Sequence, residues 1–437
     1  GALEKLGVGV QVTRVGRYKS AIEPFIRRDM SPESREQDEL LLGDLWKVVV
    51  AGIETSRRLP AGTLQSIADR EGLLKADEAK AAGLVDRLAY QDEVLDELRE
   101  ATGVKGNMAP FRQVRLADYA RLVPASNLAA RRRDPGPLHQ ASHQKIAIVY
   151  AEGSIVDGSG HEDGVVRGST LARQLRALRR DSSVKAVVLR VNSPGGSVSA
   201  SETIGREVRL LQKAKPVAVS MGSVAASGGY WISMGSGRIF AEPATVTGSI
   251  GVFGLLFNVK DLATDRLGLS FDTVKTARFA DSATVLRPKT PEELAVVQKH
   301  VDWIYGQFLD RVAAARGLSR DAVDELAQGR VWSGKQALQL GLVDEMGGLE
   351  DALAWAAGQA KVGEEFTVLQ FPHRQTLLEA IAEGLSHSRH DQSGSLAALA
   401  KAMGNGPLGR ALGDAAGGLA SLGEYDDPSG MYARLPF

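Results

Sequence analysis

Hydrophobic and polar positions follow two periods along this chain. Continuous β-branched and apolar runs predict strands at Lys145–Tyr150, Ala186–Val191 and Pro216–Ser220. Apolar residues at helical spacing predict helices near 170–180, 199–213, 227–235, 291–316, 320–327 and 334–340. The 199–213 helix carries Ile204, Val208 and Leu211 on one face. The longest, 291–316, carries Leu294, Val297, Val301, Ile304, Phe308 and Val312, a stripe that predicts core or subunit interface.

Glycine-containing turns punctuate this pattern at Pro194-Gly195-Gly196, Ser227-Gly228-Gly229 and Thr247-Gly248-Ser249. Each follows a short apolar run, and two of them open a predicted helix. Such turns bring backbone N–H groups, free of side-chain bulk, around one small volume. Ser227 stands there at a helix N-terminus with only small neighbours, which is the access a nucleophile needs. The amides of Gly228 and of Gly195 or Gly196 are candidates to bind a tetrahedral oxyanion.

The serine has no conventional base in the sequence around it. The seven histidines, His139, His143, His161, His300, His373, His387 and His390, all fall outside the glycine-rich turns, which argues against a Ser-His-Asp triad. A lysine base is the remaining common option, and Lys19 lies in an unusual setting, Gly16-Arg17-Tyr18-Lys19-Ser20-Ala21-Ile22-Glu23-Pro24-Phe25. A lysine works as a base near pH 7 only when neutral. Against an ordinary pKa of about 10.4, that means offsetting about 4 kcal/mol. Burial is able to do this, because desolvation disfavours the ammonium form. Tyr18, Ala21, Ile22 and Phe25 are the expected apolar walls, and Glu23 and Arg17 must then point elsewhere.

Four blocks, RVNSPGGSVSASE, VAASGGYWIS, TVTGSIGVFG and GRYKSAIEPFIRRDMSP, closely resemble the long, two-domain form of the bacterial signal peptide peptidase A (protease IV) family, in the right order and over about residues 1–360. Carried over position by position, the resemblance implies Ser227 as nucleophile, Lys19 as general base and Ser249 as the hydroxyl that positions the lysine amine. Gly195, Gly196 and Gly228 match the oxyanion-hole region. The implied fold is α/β, with tandem ClpP/crotonase-like ββα-spiral domains of which the first is incomplete. The implied activity is a serine endopeptidase that degrades hydrophobic peptides, chiefly cleaved signal peptides. The family also implies a homotetramer at the bacterial inner membrane, with its catalytic domains on the periplasmic side.

An internal repeat adds a point independent of the resemblance. Arg17-Tyr18-Lys19-Ser20-Ala21 pairs with Arg278-Phe279-Ala280-Asp281-Ser282, Ser31-Pro32-Glu33 with Thr290-Pro291-Glu292, and Ala82-Gly83-Leu84-Val85-Asp86 with Leu340-Gly341-Leu342-Val343-Asp344. Residues 1–100 therefore repeat roughly 261–358. Lys19 has Ala280 as its counterpart, so each copy is expected to carry half a site. The chain is accordingly expected to be a fragment whose first domain began earlier, with any membrane anchor in that earlier part. Residues 1–103 read as the second half of the first domain, 104–143 as a linker containing Arg131-Arg132-Arg133, 144–371 as a complete domain and 372–437 as an Ala/Gly-rich tail. Within the tail, 376–385 and 396–403 read as short helices and 404–428 as flexible.

Composition narrows the rest. Lysine plus arginine equals aspartate plus glutamate at 53 each, which gives no reason to expect nucleic acid as a partner. Cysteine is absent, which excludes disulfides and thiol catalysis. No apolar run reaches the roughly 18 residues of a membrane span, and neither metal nor nucleotide is implied, so no cofactor is expected. The loop 153–168 reads as a flap or a turn. Two alternatives stay open from sequence alone: a crotonase-type acyl-CoA hydratase or isomerase using the same glycine-lined hole, and a catalytically inactive assembly that binds peptides.

Overall fold

The runs richest in β-branched residues become the middle of a sheet that is covered on both faces. In the computed structural model, which describes residues 2–104, 111–114, 144–160, 162, 164–363, 366–372 and 431–434, the chain forms two compact units. One comprises Gly1–Leu41 with Gly136–Phe437, the other Leu42–Pro135. These packing units divide the chain differently from the repeat, because residues 1–41 group with the unit that carries Ser227.

Among the described residues the larger unit holds fourteen strands: β1 (Gly9–Val15), β2 (Lys145–Glu152), β3 (Ser154–Val156), β4 (Val165–Arg167), β5 (Val184–Ser193), β6 (Gly195–Ser197), β7 (Val217–Ala226), β8 (Arg238–Ala241), β9 (Val246–Gly248), β10 (Val252–Asn258), β11 (Val331–Ser333), β12 (Glu345–Met346), β13 (Thr367–Phe371) and β14 (Met431–Arg434). Eight belong to one sheet, with order β11-β9-β7-β5-β2-β13 and with β8 and β12 paired beside β7. The other six form a second sheet, β1-β10-β14-β6-β3-β4. The period of two decides what each face of the first sheet touches. Ala147, Val149, Val187, Leu189, Val217 and Val219 face one apolar core. Their neighbours Ile146, Ile148, Ala186, Val188 and Ala218 face another, closed by the helix Leu349–Ala360.

The helix Val198–Ala214 packs Ile204, Val208 and Leu211 into the first core and starts where the Ser197 hydroxyl accepts from the Ala200 N–H. The helix Pro291–Arg316 starts with a capping box between Thr290 and Glu293 and stops at Gly317, whose φ of 65° ends the turn. Its stripe of Val301, Ile304, Phe308 and Val312 is buried in the same core. The segment 153–168 corrects the expectation of a flap or plain turn. Gly153 and Gly164 both adopt positive φ, the Ser154 N–H donates to the Gly164 carbonyl at 3.2 Å, and β3 and β4 pair in parallel.

The smaller unit is helical. The second part of the helix Pro32–Arg57 leads to helices Thr63–Glu71, Ala76–Ala81 and Gln91–Ala101. No helix among the described residues is long and apolar enough to cross a membrane. The predicted linker lies mostly outside the described residues, and the tail segments at 376–385, 396–403 and 404–428 lie wholly outside them.

Candidate active site

Parallel strands β7 and β9 end on the same rung, with Ala226 opposite Gly248. The next residue on each, Ser227 and Ser249, turns to a positive φ of 55° and 50°. Such backbone costs about 1–3 kcal/mol for a residue with a side chain. Two hydrogen bonds hold it here: the Ser227 N–H donates to the Gly248 carbonyl at 2.8 Å, and the Ser249 N–H to the Arg330 carbonyl at 2.7 Å. Both hydroxyls leave the ladder at the same level, and both reach the Lys19 amine.

Lys19 follows β1, which is zipped antiparallel to β10 from Gly9↔Asn258 to Val15↔Val252. Its loop turns at Gly16, φ 101°, and locks onto the turn 328–330 when the Tyr18 N–H donates to the Gln328 carbonyl at 2.9 Å. Nζ then lies 2.8 Å from Ser227 Oγ, 3.0 Å from Ser249 Oγ and 3.1 Å from the Ser249 carbonyl oxygen. Lys19 and both serines have no exposed surface. The residues named from sequence thus meet within one chain.

The electrostatics follow from that burial. Every hydrogen-bond partner of Nζ is a serine oxygen, and among the described residues no carboxylate pairs with it. Burial alone pushes the Lys19 pKa well below its ordinary value. Glu23, the nearest carboxylate in sequence, is turned away and accepts from the Ser31 hydroxyl at 2.6 Å and the Ser31 N–H at 3.1 Å. The Arg17 guanidinium lies over the Tyr18 ring, 5.1 Å from its centre. Ala21, Ile22 and Phe25 pack into a small core with Phe253 and Leu255 beside the lysine loop. His300, the one histidine among the described residues, stacks on Trp303 along the helix Pro291–Arg316.

Two glycines that sequence reasoning did not single out shape the lysine channel. A Cβ on Gly329 would stand 2.7 Å from the Lys19 Cβ, and one on Gly251 would stand 3.3 Å from its Cδ and 2.7 Å from the Gly329 backbone. Gly329 also has a φ of 77°, which leaves glycine the natural residue there. Its only sequence signal is a glycine just past a predicted helix, which reads equally well as an ordinary helix stop.

The glycines proposed around the oxyanion divide. The Gly195 N–H donates to Ser193 Oγ at 3.1 Å, so it is committed within its own turn. Gly195 and Gly196 form β6 rather than a bare turn, and both have positive φ. Gly228 opens the short helix Gly228–Ser233 directly after Ser227, and its backbone N lies 2.6 Å from where a Cβ on Gly195 would stand.

The arrangement can transfer an acyl group through a serine activated by a neutral amine. Residues 1–105 and 209–363 match the model of peptidase family S49. The chain belongs to that family. Residues 140–246 match the model of Clp protease, in keeping with the ClpP/crotonase-like α/β fold of the larger unit. Relatives of this S49 chain include Protease 4 of Salmonella typhi, 37% identical over 99% of this chain and 68% of the relative, and Protease 4 of Haemophilus influenzae, 39% identical over 80% and 56%. A chloroplastic serine protease SPPA of Arabidopsis thaliana is 32% identical over 89% of this chain and 56% of its own length. The S49 chain therefore spans between about half and two thirds of these relatives.

Proposed function

We infer that this S49 chain is a serine endopeptidase in which Ser227 is the nucleophile, Lys19 the general base and Ser249 the residue that aims the amine. The carrying observation is the buried Lys19 Nζ at 2.8 Å from Ser227 Oγ, with only serine oxygens around it. The hydrogen-bond count supports the assignment. The Ser249 hydroxyl donates to the Gly329 carbonyl at 3.3 Å, so its oxygen is free to accept from the amine. The Ser249 carbonyl can only accept. A neutral amine has two protons to give, and these two acceptors take both. Its lone pair is left facing the Ser227 hydroxyl.

In acylation, Nζ takes the Ser227 proton as Oγ attacks the peptide carbonyl, and the oxyanion is met by the N–H groups of Gly228 and Gly196. Collapse breaks the C–N bond, and the ammonium returns its proton to the leaving amine. Water then gives a proton to the same Nζ, attacks the ester carbonyl and releases the acid and the Ser227 hydroxyl. The substrates proposed are hydrophobic peptides, cleaved signal peptides among them, in line with a relative from Enterococcus faecium named as a putative signal peptide peptidase. Action at the bacterial inner membrane on its periplasmic side, in a homotetramer, belongs to the same proposal.

The test is fluorophosphonate labelling located by mass spectrometry, alongside cleavage of a hydrophobic fluorogenic peptide. Modification at Ser227, and loss of both signals in Ser227→Ala and Lys19→Ala, is the expected result. Unchanged cleavage in either variant refutes the assignment.

A further inference from the structure

Three consecutive peptide carbonyls in the turn after the helix Arg320–Leu326 each hold a different part of the site. The Gln328 carbonyl accepts from the Tyr18 N–H at 2.9 Å, the Gly329 carbonyl from the Ser249 hydroxyl at 3.3 Å, and the Arg330 carbonyl from the Ser249 N–H at 2.7 Å. The turn is itself fixed. The Gly329 N–H donates to the Ile250 carbonyl and the Arg330 N–H to the Ala327 carbonyl, both at 2.8 Å, and the Tyr305 hydroxyl accepts from the Gln328 N–H at 3.2 Å while donating to Asp324. The lysine loop and Ser249 are thus both referenced to one short piece of backbone, in addition to meeting at Nζ.

The Arg330 side chain fastens the same two parts a second time. Its guanidinium carbon lies 4.7 Å from the ring centre of Tyr18 and 4.6 Å from that of Trp332. Tyr18 is buried and directly precedes Lys19, and Trp332 lies on β11 opposite Thr247 of β9, the strand that leads to Ser249. Polar contacts complete the arrangement: Arg330 Nη1 donates to the Tyr18 hydroxyl at 3.4 Å, that hydroxyl donates to Glu36 at 3.1 Å, and Arg330 Nη2 pairs with Glu36 at 3.2 Å. The Arg330 side chain is 18% exposed and that of Glu36 52%, so the ion pair is mostly wet and the stacked plane carries more of the hold. A flat guanidinium can stack in this way, whereas the ammonium of a lysine cannot. The other charged groups beside the arrangement are Arg17, over the Tyr18 ring, and Asp324, which accepts from the Gln328 side chain at 2.8 Å; neither hydrogen-bonds Nζ.

We propose that Arg330 is a positioning residue for the serine-lysine pair, its side chain fixing the loop that carries Lys19 and its carbonyl fixing Ser249. One residue then registers two segments that stand 230 positions apart in the chain. This rests on the serine-peptidase reading above. Arg330 takes no part in the proton transfers and acts only through where Nζ is held. Without the stacked plane the strands and the turn remain, but the lysine loop is free to drift from the turn and water gains a path to the amine.

The experiment follows fluorophosphonate labelling of Ser227 and cleavage of a hydrophobic fluorogenic peptide, across the pH range in which the parent rate rises, in the parent chain, Arg330→Met, Arg330→Lys and Arg316→Ala. The last loses a mostly buried ion pair away from the turn. Arg330→Met is expected to slow labelling about 100-fold, the scale of a small misplacement of a catalytic group, and to lower kcat with KM unchanged. Its rate is also expected to rise only at higher pH than the parent's, because an amine reached by water keeps its proton more readily. Arg330→Lys retains the charge without the plane and is expected to recover no more than about tenfold of that loss. Arg316→Ala is expected to keep the parent's pH dependence. Parent rates and pH dependence in folded Arg330→Met overturn the proposal, as does full recovery in Arg330→Lys. A rise in KM with kcat intact overturns it too, since Arg330 would then be a substrate contact. The same slowing and pH displacement in Arg316→Ala, or loss of folding by circular dichroism in both Arg330 variants, makes the residue structural and has the same result. A parent chain that fails to label at Ser227 removes the peptidase reading and this proposal with it, whereas parent labelling matched by the Arg330 variants removes the positioning role alone.

Discussion

Residues 32–86 and 291–344 are the same local design in two surroundings. Each begins with a helix of 26 residues opening on proline, Pro32–Arg57 and Pro291–Arg316. Each of these helices ends in an arginine that clasps a later loop. Arg57 Nε donates to the Gly83 carbonyl at 2.8 Å and its guanidinium pairs with Asp86. Arg316 Nε donates to the Gly341 carbonyl at 2.7 Å and its guanidinium pairs with Asp344. Burial differs sharply: the Arg57 and Asp86 side chains are 27% and 86% exposed, those of Arg316 and Asp344 8% and 24%. Leu42, Trp46 and Val49 of the first helix are exposed, whereas Val301, Ile304 and Phe308 of the second are buried in the main apolar core of the larger unit, beside β1 and β10. The clasp is written into nearby sequence and forms in both copies. Packing depends on the distant strands that supply a surface, and the lysine that reaches Ser227 and Ser249 has Ala280 as its counterpart in the second copy.

The largest effect expected from breaking this comparison is chemical. Lys19→Ala should lower kcat/KM roughly 1,000-fold, and adding Ala280→Lys should rescue nothing, since residue 280 lies in an exposed turn. Peptidase assays on the single and double variants check this, and recovery in the double variant would mean the two loops are interchangeable.

Next in size is a pH effect with a defined sign. Burial lowers the folded-state pKa of Lys19, so kcat/KM should rise as pH passes upward through that value and the amine loses its proton. Between that value and about 10.4 the unfolded chain binds more protons than the folded one, so the lysine's cost to stability shrinks as pH rises. Lys19→Met should thus be inactive yet more resistant to urea than the parent at low pH, with the gap closing toward pH 10. Urea titrations across that range measure it.

Gly329→Ala should cost about 2–3 kcal/mol, combining positive-φ strain with a Cβ driven against Lys19, and should slow Ser227 labelling as well. Denaturant midpoints together with labelling rates test both parts. The smallest contrast lies between the clasps. Arg316→Ala should destabilise by about 2–3 kcal/mol because it strips a mostly buried carboxylate of its partner, and Arg57→Ala by less than about 1 kcal/mol because its pair is wet. Equal losses would show that exposure does not set their weight.

Much of the fold was legible because it is written locally. The β-branched run at 186–191 and the stripe from Val301 to Val312 announce their own burial: the helix is present at its predicted bounds, 291–316, and the strand runs two residues further at each end. The paired blocks 82–86 and 340–344 were readable for the same reason. Ser227 and Lys19 could be singled out because small residues and a base-free serine leave few chemical options, whereas Ser249 was legible only through the family resemblance. What could not be read were pairings across long separations. Gly329 beside Lys19 and β14 beside Gly196 depend on where chain segments more than 200 residues apart are carried, and neither leaves a periodic trace. The 153–168 segment was misread because its strands are three residues long, too short for alternation to register.

The sealing of Lys19 has a consequence for chemical profiling. A lysine with a lowered pKa is ordinarily the most reactive toward acylating reagents, and this one has no solvent-facing surface. Amine-directed probes will therefore mark the lysines on the outside and leave this sealed amine, whose pKa burial holds well below its ordinary value, unmodified, so that its silence in such a map is itself its signature.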